Sequence, residues 1–292
     1  MDLLKELKYK FKQGNAVVQI ILINVLVYLG FSLVSLFFFL FNQTNVLASF
    51  MKWLMLPAAF QNFMWQPWSI FSYMFLHEGF FHLLFNMLWL YWLGNLFQQY
   101  LGNTKTFQAY ILGGVFGGLI YMLAYNIFPA FSNQVSSSFA LGASAGVLSL
   151  VVAAATLLPE YSVQLLIIGQ VRLKYIALFS VLLDLISIPN GNAGGHIAHV
   201  GGAAFGYLFI KLIYSQSNIP GALDSIFNGI GSWFKPKPNL HIHHKNKSAK
   251  ATASNTKPNQ QEIDAILDKI SKKGYESLSQ KEKEILFKAS KG

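Results

Sequence analysis

The stretch SFALGASAGVLSLVVAAATLLP, from Ser138 to Pro159, contains no charged residue and consists mainly of small and aliphatic side chains. An α-helix rises 1.5 Å per residue, so about 20 such residues cross the hydrocarbon core of a bilayer. We therefore predict that this segment spans a membrane. Its sequence GASAG, residues 142–146, sets one hydroxyl group, that of Ser144, among four residues without bulk.

The composition of the whole chain supports a membrane location. Of its 292 residues, 53% are hydrophobic and only 12% are charged, which is outside the range of soluble proteins. The formal net charge of +10 comes from residues concentrated near the two ends, which favours contact with anionic lipid headgroups over nucleic acid. The chain has no cysteine, which excludes disulfides, thiolate metal sites and a cysteine nucleophile.

Apolar segments long enough to span a membrane recur along the chain, and together they predict an all-α membrane protein with six transmembrane helices. The fifth segment is short, and residues 162–175 before it read as a strand-like or re-entrant piece. The predicted spans are 17–41, 79–101, 104–128, 138–158, 174–189 and 194–214.

The distribution of Lys and Arg predicts the orientation of these spans. Positive residues in short connections stay on the cytoplasmic side. Four lysines precede the first span, Lys105 follows the second, and Arg172 and Lys174 follow the fourth, whereas the remaining connections carry only Lys52. We therefore expect a multi-pass membrane protein with both termini in the cytoplasm.

Four regions follow from these patterns. The six-helix membrane domain is flanked by a basic amphipathic N-terminus and, after it, by an interfacial segment with a disordered linker rich in Lys, Pro, Ser and Asn. A small helical hairpin forms the cytoplasmic tail, in which Ser279 and Glu282 are spaced as a capping box. The predicted regions are 1–16, 17–215, 216–259 and 260–292, in that order.

Polar residues inside the predicted spans lie at similar depths. Ser144 and His199 each lie about five or six residues into a helix that enters from the outside, and His82 and Asn86 lie four residues apart near the outer end of the second helix. An ionisable group in the hydrocarbon region is costly and usually functional. Taken singly, each residue is more simply a packing position or an interhelical hydrogen bond, but three helices with polar groups at one level indicate catalysis.

The chemistry of these residues suits acyl transfer. A serine hydroxyl becomes a useful nucleophile when a nearby base takes its proton, and the resulting oxyanion needs hydrogen-bond donors. We predict Ser144 as the nucleophile and His199 as the base. His82, Asn86 and the backbone N–H of Ser144 are the predicted oxyanion donors.

Small residues should let the Ser144 and His199 helices approach closely, because glycine and alanine at helix interfaces leave room for the neighbouring backbone. The last span carries GxxxG spacing. The glycines predicted to pack these two helices are Gly142, Gly146, Gly201, Gly202 and Gly206.

Two neighbouring polar residues have open roles. Asp184 in the fifth span lies at a depth suited to orienting His199, as the acid of a triad would. His196, three residues before His199, reads as a solvated or loop-bonding histidine. Four histidines are an alternative set of zinc ligands, namely His77, His82, His196 and His199. No HExxH spacing is present, however, and neither a metal nor another cofactor is expected.

Three separated motifs resemble the rhomboid family of intramembrane serine proteases. They are HLLFN at 82–86, GAS at 142–144 and AHVGGAAFG at 198–206, and the resemblance covers about residues 15 to 215. It implies a rhomboid-like bundle and a Ser144–His199 dyad without an acid, with His82 and Asn86 lining the oxyanion hole. It further implies a lipid-embedded endopeptidase of the bacterial cytoplasmic (inner) membrane that cleaves single-pass transmembrane proteins near the outer face.

Three positions depart from the family pattern. Ala145 stands where glycine commonly follows the nucleophile, Leu148 where some members carry an aromatic residue, and Gln98 where glutamate is frequent. A non-catalytic protein that binds transmembrane segments is the alternative function, and a small transporter is a third, although no inverted repeat is visible. No partner for the tail can be inferred.

Overall fold

The computed structural model describes Phe11 and residues 15–165, 168–215, 218–234 and 260–290. Most of the predicted N-terminus 1–16 and the linker from 235 onward lie outside the described residues. The chain divides into two compact units, Met1–Pro236 and Lys237–Gly292. The described part is mostly helical and strongly apolar, as an integral membrane protein should be.

The first unit contains ten of the described helices and two small sheets. A π-helical turn, Leu90–Gly94, joins the helix Phe80–Trp89 to the helix Asn95–Ile127. The helices are α1 Ala16–Leu40, α2 Thr44–Leu54, α3 Phe60–Trp65, α4 Ser69–Ser72, α5 Phe80–Trp89, α6 Asn95–Ile127, α7 Ser144–Leu157, α8 Leu173–Ser187, α9 Ala193–Ile213 and α10 Ile219–Phe234. The strands are β1 Leu56–Pro57, β2 Phe139–Ala140, β3 Ser162–Leu165 and β4 Gly169–Arg172.

Several of these helices are long and apolar enough to cross a membrane. Four such segments occur in the described residues: Ala16–Leu40, Phe80–Ile127, Leu173–Asn190 and Ala193–Ile213. Helix α7 is apolar but has only 14 residues. The 48-residue segment is interrupted at Gly102, whose φ of 76° and ψ of 177° are not helical.

The short strands correct the expectation of a purely helical chain. β3 and β4 pair antiparallel with Ser162 opposite Arg172, in the stretch that the sequence marked as strand-like. β1 pairs antiparallel with β2, with Leu56 opposite Ala140. The second pairing attaches the connection after α1 to the residues that immediately precede α7.

Side chains hold that connection in place. The Gln66 amide donates to the carbonyl oxygens of Lys52 and Met55, at 3.1 and 3.0 Å. The Trp68 indole N–H donates to the Trp53 carbonyl at 2.9 Å, and the two indole rings stack with centroids 5.9 Å apart. The folded connection thus presents β1 to β2 at a fixed position.

The core of the first unit lies where α6, α7 and α9 meet. A Cβ atom built on Gly113 of α6 would lie 2.3 Å from the Ser149 side chain, and one on Gly117 would lie 2.4 Å from the Ala198 carbonyl oxygen. The Ser149 hydroxyl donates to the Ala109 carbonyl at 2.9 Å. Backbones at this distance gain dispersion and hydrogen bonding without needing a hydrophobic driving force, which lipid does not supply.

The start of α1 is capped by two side chains from the first part of α6. The first backbone N–H groups of a helix have no partner within it. Here the N–H of Ala16 donates to Asn103 Oδ1 and that of Val17 to Gln98 Oε1, both at 3.1 Å. Val17 is fully buried, so this hydrogen bond satisfies a donor that water cannot reach.

Within the first unit, helix α10 contacts α6 near Lys105 and Gln108. The Asp224 carboxylate accepts from Lys105 Nζ and from Gln108 Nε2, each at 2.9 Å. Gln108 is fully buried. This region was predicted as an interfacial segment, and its contact with α6 fixes one point along it.

The second unit is described over α11 Gln260–Lys273 and α12 Gln280–Ser290. Gly274, with φ of 76°, follows α11. The Ser279 N–H donates to Glu282 Oε2 at 2.7 Å, and the Glu282 N–H donates to Ser279 Oγ at 3.4 Å, which is capping-box geometry. Lys269 Nζ donates to Glu282 from the other helix at 2.8 Å.

Candidate active site

Ser144 is the first residue of α7, whereas the sequence placed it six residues into a span beginning at 138. The helix does not begin earlier, because Phe139 and Ala140 form β2, which pairs with β1, and the Gly142 N–H donates to the Tyr73 carbonyl at 2.9 Å. Gly142 has a φ of +129°, a conformation that side chains disfavour. The turn therefore exposes the N-terminal end of α7, where backbone N–H groups are free of helical partners.

Ser144 and His199 come together across two helices. His199 lies on α9, and its Nε2 is 2.6 Å from Ser144 Oγ. The two residues are 55 positions apart in the chain. The geometry allows the hydroxyl to donate to Nε2, the arrangement by which a base takes the proton of a serine nucleophile.

Asp184 of α8 also contacts His199. Its Oδ1 is 2.8 Å from His199 Nδ1, and the carboxylate group is largely buried. A carboxylate can only accept, so the proton of a neutral imidazole is held on Nδ1 and the lone pair on Nε2 is directed at Ser144. The family resemblance implied no acid here, while the depth of Asp184 in the fifth span had left that role open.

His196 shares the same carboxylate oxygen. Its Nδ1 is 2.8 Å from Asp184 Oδ1, and its ring centroid is 5.9 Å from that of His199. The sequence suggested a solvated or loop-bonding histidine. The side chain is instead partly buried, with an exposed fraction of 23%, and bound to Asp184.

His82 lies beside the turn before Ser144. A Cβ atom on Gly142 would be 3.1 Å from His82 Nε2 and 3.4 Å from Ser144 Oγ. The Asn86 side chain is buried and its amide donates to the His82 carbonyl, one turn earlier in α5, at 2.9 Å. His82 is thus next to the nucleophile, and Asn86 lies one turn further along α5 with one donor already engaged.

Four of the five predicted packing glycines divide between two interfaces, whereas Gly142 lies beside His82 of α5 and does not pack α7 against α9. A Cβ atom on Gly202 would lie 2.1 Å from the Ala145 carbonyl oxygen, and one on Gly206 would lie 2.2 Å from that of Ser149, so these two pack α9 against α7. Gly146 and Gly201 contact α6 instead, so the prediction that they pack α7 against α9 is wrong for these two residues. A Cβ atom on Gly146 would lie 2.7 Å from the Tyr110 carbonyl oxygen.

Gly201 lies against α6 near Gly117, whose Cα would be 2.9 Å from an added Cβ. A Cβ atom on Gly117 would in turn lie 2.8 Å from the Ala145 side chain. The departure at Ala145 therefore places its methyl group against a glycine of α6. Sequence reasoning missed this third surface, although the spacing GGVFGG at 113–118 is a signal for it.

The four histidines that formed the rejected zinc alternative do not lie in one group. His77 and His82 are neighbours, with ring centroids 5.1 Å apart. Among the residues that the structure describes, the group of three with ligand atoms close enough for one ion is Asp184, His196 and His199. In this group the Asp184 carboxylate takes the place of His77 and His82.

Proteins with similar sequences are named as rhomboid proteases. The rhomboid protease GlpG of Pectobacterium atrosepticum is 32% identical over 104 residues, covering 31% of this chain and 37% of the relative. The rhomboid protease GlpG of Yersinia pestis and that of Yersinia pseudotuberculosis are each 35% identical over 68 residues, covering 23% of this chain and 24% of the relative. The alignments thus cover only about a quarter to little more than a third of the length of these relatives.

Two family models also match. Residues 251–292 match a family of unknown function, DUF6576. Residues 64–216 match the rhomboid domain and include α5 to α9, with all of the candidate active-site residues. Because that match takes in more than half of the 292 residues, the chain belongs to the rhomboid family.

Proposed function

We propose that this protein is an intramembrane serine endopeptidase that cleaves transmembrane segments of single-pass membrane proteins near the outer face of the membrane. The observation that supports it best is the 2.6 Å contact between Ser144 Oγ and His199 Nε2, made by residues of two different helices. Family membership supports the same reaction class. The relatives are named as proteases, and the motifs around Ser144 and His199 lie within the matched region.

The reaction proceeds in two halves. Ser144 Oγ attacks the peptide carbonyl carbon while its proton passes to His199 Nε2, and the carbonyl oxygen becomes an oxyanion. The C–N bond then breaks as His199 returns the proton to the leaving amine, which leaves an acyl ester on Ser144. Water, deprotonated by His199, hydrolyses the ester and regenerates the hydroxyl.

Stabilisation of the oxyanion is assigned to donors beside Ser144. The backbone N–H of Ser144, at the first position of α7, has no helical partner, and the His82 ring lies close to it. Asn86 supplies a further amide from the same helix as His82. Donors fixed in place before reaction are worth about 3–4 kcal/mol of barrier each in proteases where one has been removed.

Asp184 is a positioning residue in this proposal, which extends the dyad that the resemblance implied. By accepting from Nδ1 it holds the tautomer in which Nε2 is the base. Replacing Asp184 with alanine should lower kcat at least tenfold, while replacing it with asparagine, whose amide oxygen still accepts, should have a smaller effect. Equal cleavage rates for wild type and Asp184→Ala would show that the carboxylate does not orient His199.

The proposed topology has six spans with both termini in the cytoplasm of a bacterial cell. A straight helix of 48 residues would measure about 72 Å, more than twice the hydrocarbon thickness of about 30 Å. The break at Gly102 therefore divides Phe80–Ile127 into two spans that cross in opposite directions. Together with the short helix α7, the count of spans becomes six.

A substrate must expose its backbone to the nucleophile. Carbonyl groups of an intact transmembrane helix are engaged in hydrogen bonds, so cleavage requires local unwinding. Glycine, proline or other helix-weakening residues near the scissile bond are expected, with a small residue before it by resemblance to the family. Binding occurs in the bilayer and requires no nucleic acid or cofactor.

The proposal is tested with purified protein and a fluorogenic single-span substrate in detergent. Wild type should cleave, and Ser144→Ala and His199→Ala should each lose at least 1000-fold in rate. Ser149→Ala is the matched control, because it removes a hydroxyl from the same helix that bonds only the Ala109 carbonyl. Cleavage by Ser144→Ala at the wild-type rate would refute the assignment, as would failure of a fluorophosphonate to label wild type at Ser144.

A further inference from the structure

Three ligand groups from α8 and α9 converge on the side of His199 that faces away from Ser144. Nδ1 of His196 and Nδ1 of His199 each lie 2.8 Å from Asp184 Oδ1, and one ligand atom from each residue lies within 4.8 Å of the others. The proposed hydrolysis uses only one of the two imidazoles. We propose that Asp184, His196 and His199 form a zinc site that switches the protease off.

The ligand set suits Zn²⁺. Imidazole nitrogen and carboxylate oxygen bind zinc at about 2.0–2.2 Å, and tetrahedral geometry places neighbouring ligand atoms about 3.3–3.5 Å apart. Two of the three separations are 2.8 Å and all lie within 4.8 Å, so side-chain shifts of at most about 1.5 Å bring every pair to that spacing. Three protein ligands leave the fourth position to water.

The positions of the ligands on their helices favour a shared ion. His196 and His199 are three residues apart on α9, so their side chains project from one face. Their side chains are 23% exposed and that of Asp184 is 12% exposed, which leaves the cluster partly open to solvent. An ion can therefore enter without unfolding of the helices.

Zinc at this position removes the catalytic base. A metal-bound nitrogen carries no proton, so coordination through Nδ1 leaves the single proton of a neutral His199 on Nε2. That nitrogen then donates instead of accepting and cannot take the proton of Ser144. The inhibitory consequence rests on the proposed function, whereas binding of the ion does not.

The binding test uses the full chain in detergent, purified with a tag that contains no histidine. The sequence HIHH at 241–244 is a competing zinc ligand, so His241, His243 and His244 are first changed to alanine in every protein used. Ser144→Ala is added to separate binding from activity. Zn²⁺ is titrated against a chromophoric chelator, and one ion per chain is expected.

His196→Ala should weaken zinc binding at least tenfold. Because a single substitution can disturb folding, His196→Gln is measured as a second variant, and the thermal unfolding midpoint without metal verifies that both are folded. His77→Ala is the matched control, since it removes a histidine outside the cluster and should leave binding unchanged. Zinc binding by both folded His196 variants with the affinity of the parent would overturn the site.

The activity test restores Ser144 and follows fluorophosphonate labelling of that residue. Zn²⁺ should suppress labelling at least tenfold, EDTA should restore it, and the same concentration of Mg²⁺ should have no effect because it prefers oxygen ligands. Suppression at the same zinc concentration in His196→Ala would refute inhibition through this site. If no protein is labelled even with EDTA, the proposed protease activity fails while the binding measurement still decides the site.

Discussion

Replacing Gly202 with alanine is predicted to separate the two catalytic side chains. A Cβ atom at this position would lie 2.1 Å from the Ala145 carbonyl oxygen and 2.8 Å from its carbon. An ordinary carbon–oxygen contact is about 3.3 Å, so α9 and α7 must move apart by about 1.2 Å at this point. Ala145 directly follows Ser144, which means that the displacement occurs next to the nucleophile.

The size of the effect follows from the hydrogen-bond distance. If the whole displacement reached the active site, the 2.6 Å contact between Ser144 Oγ and His199 Nε2 would lengthen to about 3.8 Å, beyond hydrogen-bond range. A misplacement of about 1 Å costs on the order of 100-fold in rate. Overpacking should also reduce the free energy of unfolding by about 1–3 kcal/mol.

Cleavage of a fluorogenic single-span substrate and thermal unfolding in detergent measure the two effects. Gly30→Ala is the matched control, because it is the same substitution in a spanning helix where the added Cβ meets no atom within 4 Å. It should retain wild-type activity and stability. If Gly202→Ala matches Gly30→Ala in both measurements, close approach at Ala145 does not set the geometry of the site.

Two further predictions concern the cap at the start of α1 and the helices of the tail. Gln98→Ala should lower the free energy of unfolding by about 1–3 kcal/mol, because the buried Val17 N–H loses its acceptor. Gln98→Glu keeps an acceptor oxygen at that position and should lower it less. Thermal unfolding compares the two variants, and equal losses would contradict the capping role. In the tail, the hydrogen bond from Lys269 and those at Ser279 lower the pKa of Glu282 from 4.5 to about 2, so the stabilisation they provide is complete above pH 4.5 and is lost as the pH falls toward 2. Labels on cysteines introduced into α11 and α12 should therefore separate on acidification over that range, and a constant distance would show that Glu282 does not join the helices.

The pairing of Ser144 with His199 could be predicted from sequence because hydrophobic spans restrict polar residues to few depths. Once the segments were oriented by their flanking charges, the two residues fell at one level. Hydropathy does not, however, distinguish a helical apolar residue from an extended one. Residues 139–143 carry no strongly polar side chain and therefore fell within the predicted span, although β2 pairs with β1 and α7 begins only at Ser144.

The contact between Asp184 and His199 could not be fixed in the same way. Helix α8 carries exposed aliphatic and aromatic residues around much of its circumference, including Leu178, Phe179 and Ile186. A helix that faces lipid on several sides gives no clear apolar stripe from which its rotation can be inferred. Depth alone left the carboxylate open as a partner of His199, and only the packed position of α8 brings Oδ1 to 2.8 Å from Nδ1.

The packing around Ser144 depends on three helices, although the sequence motifs suggested two. Ala145 seemed a departure because it adds a methyl group next to the nucleophile, where the family commonly has glycine. In the folded chain this methyl group lies toward Gly117 of α6, while the backbone oxygen of the same residue lies toward Gly202 of α9. The space that the Ala145 methyl group occupies between the helices is therefore provided by the absence of a side chain at Gly117. Because each interface is set by the combined bulk of both partners, a motif on one helix predicts close packing only when the facing helix is known.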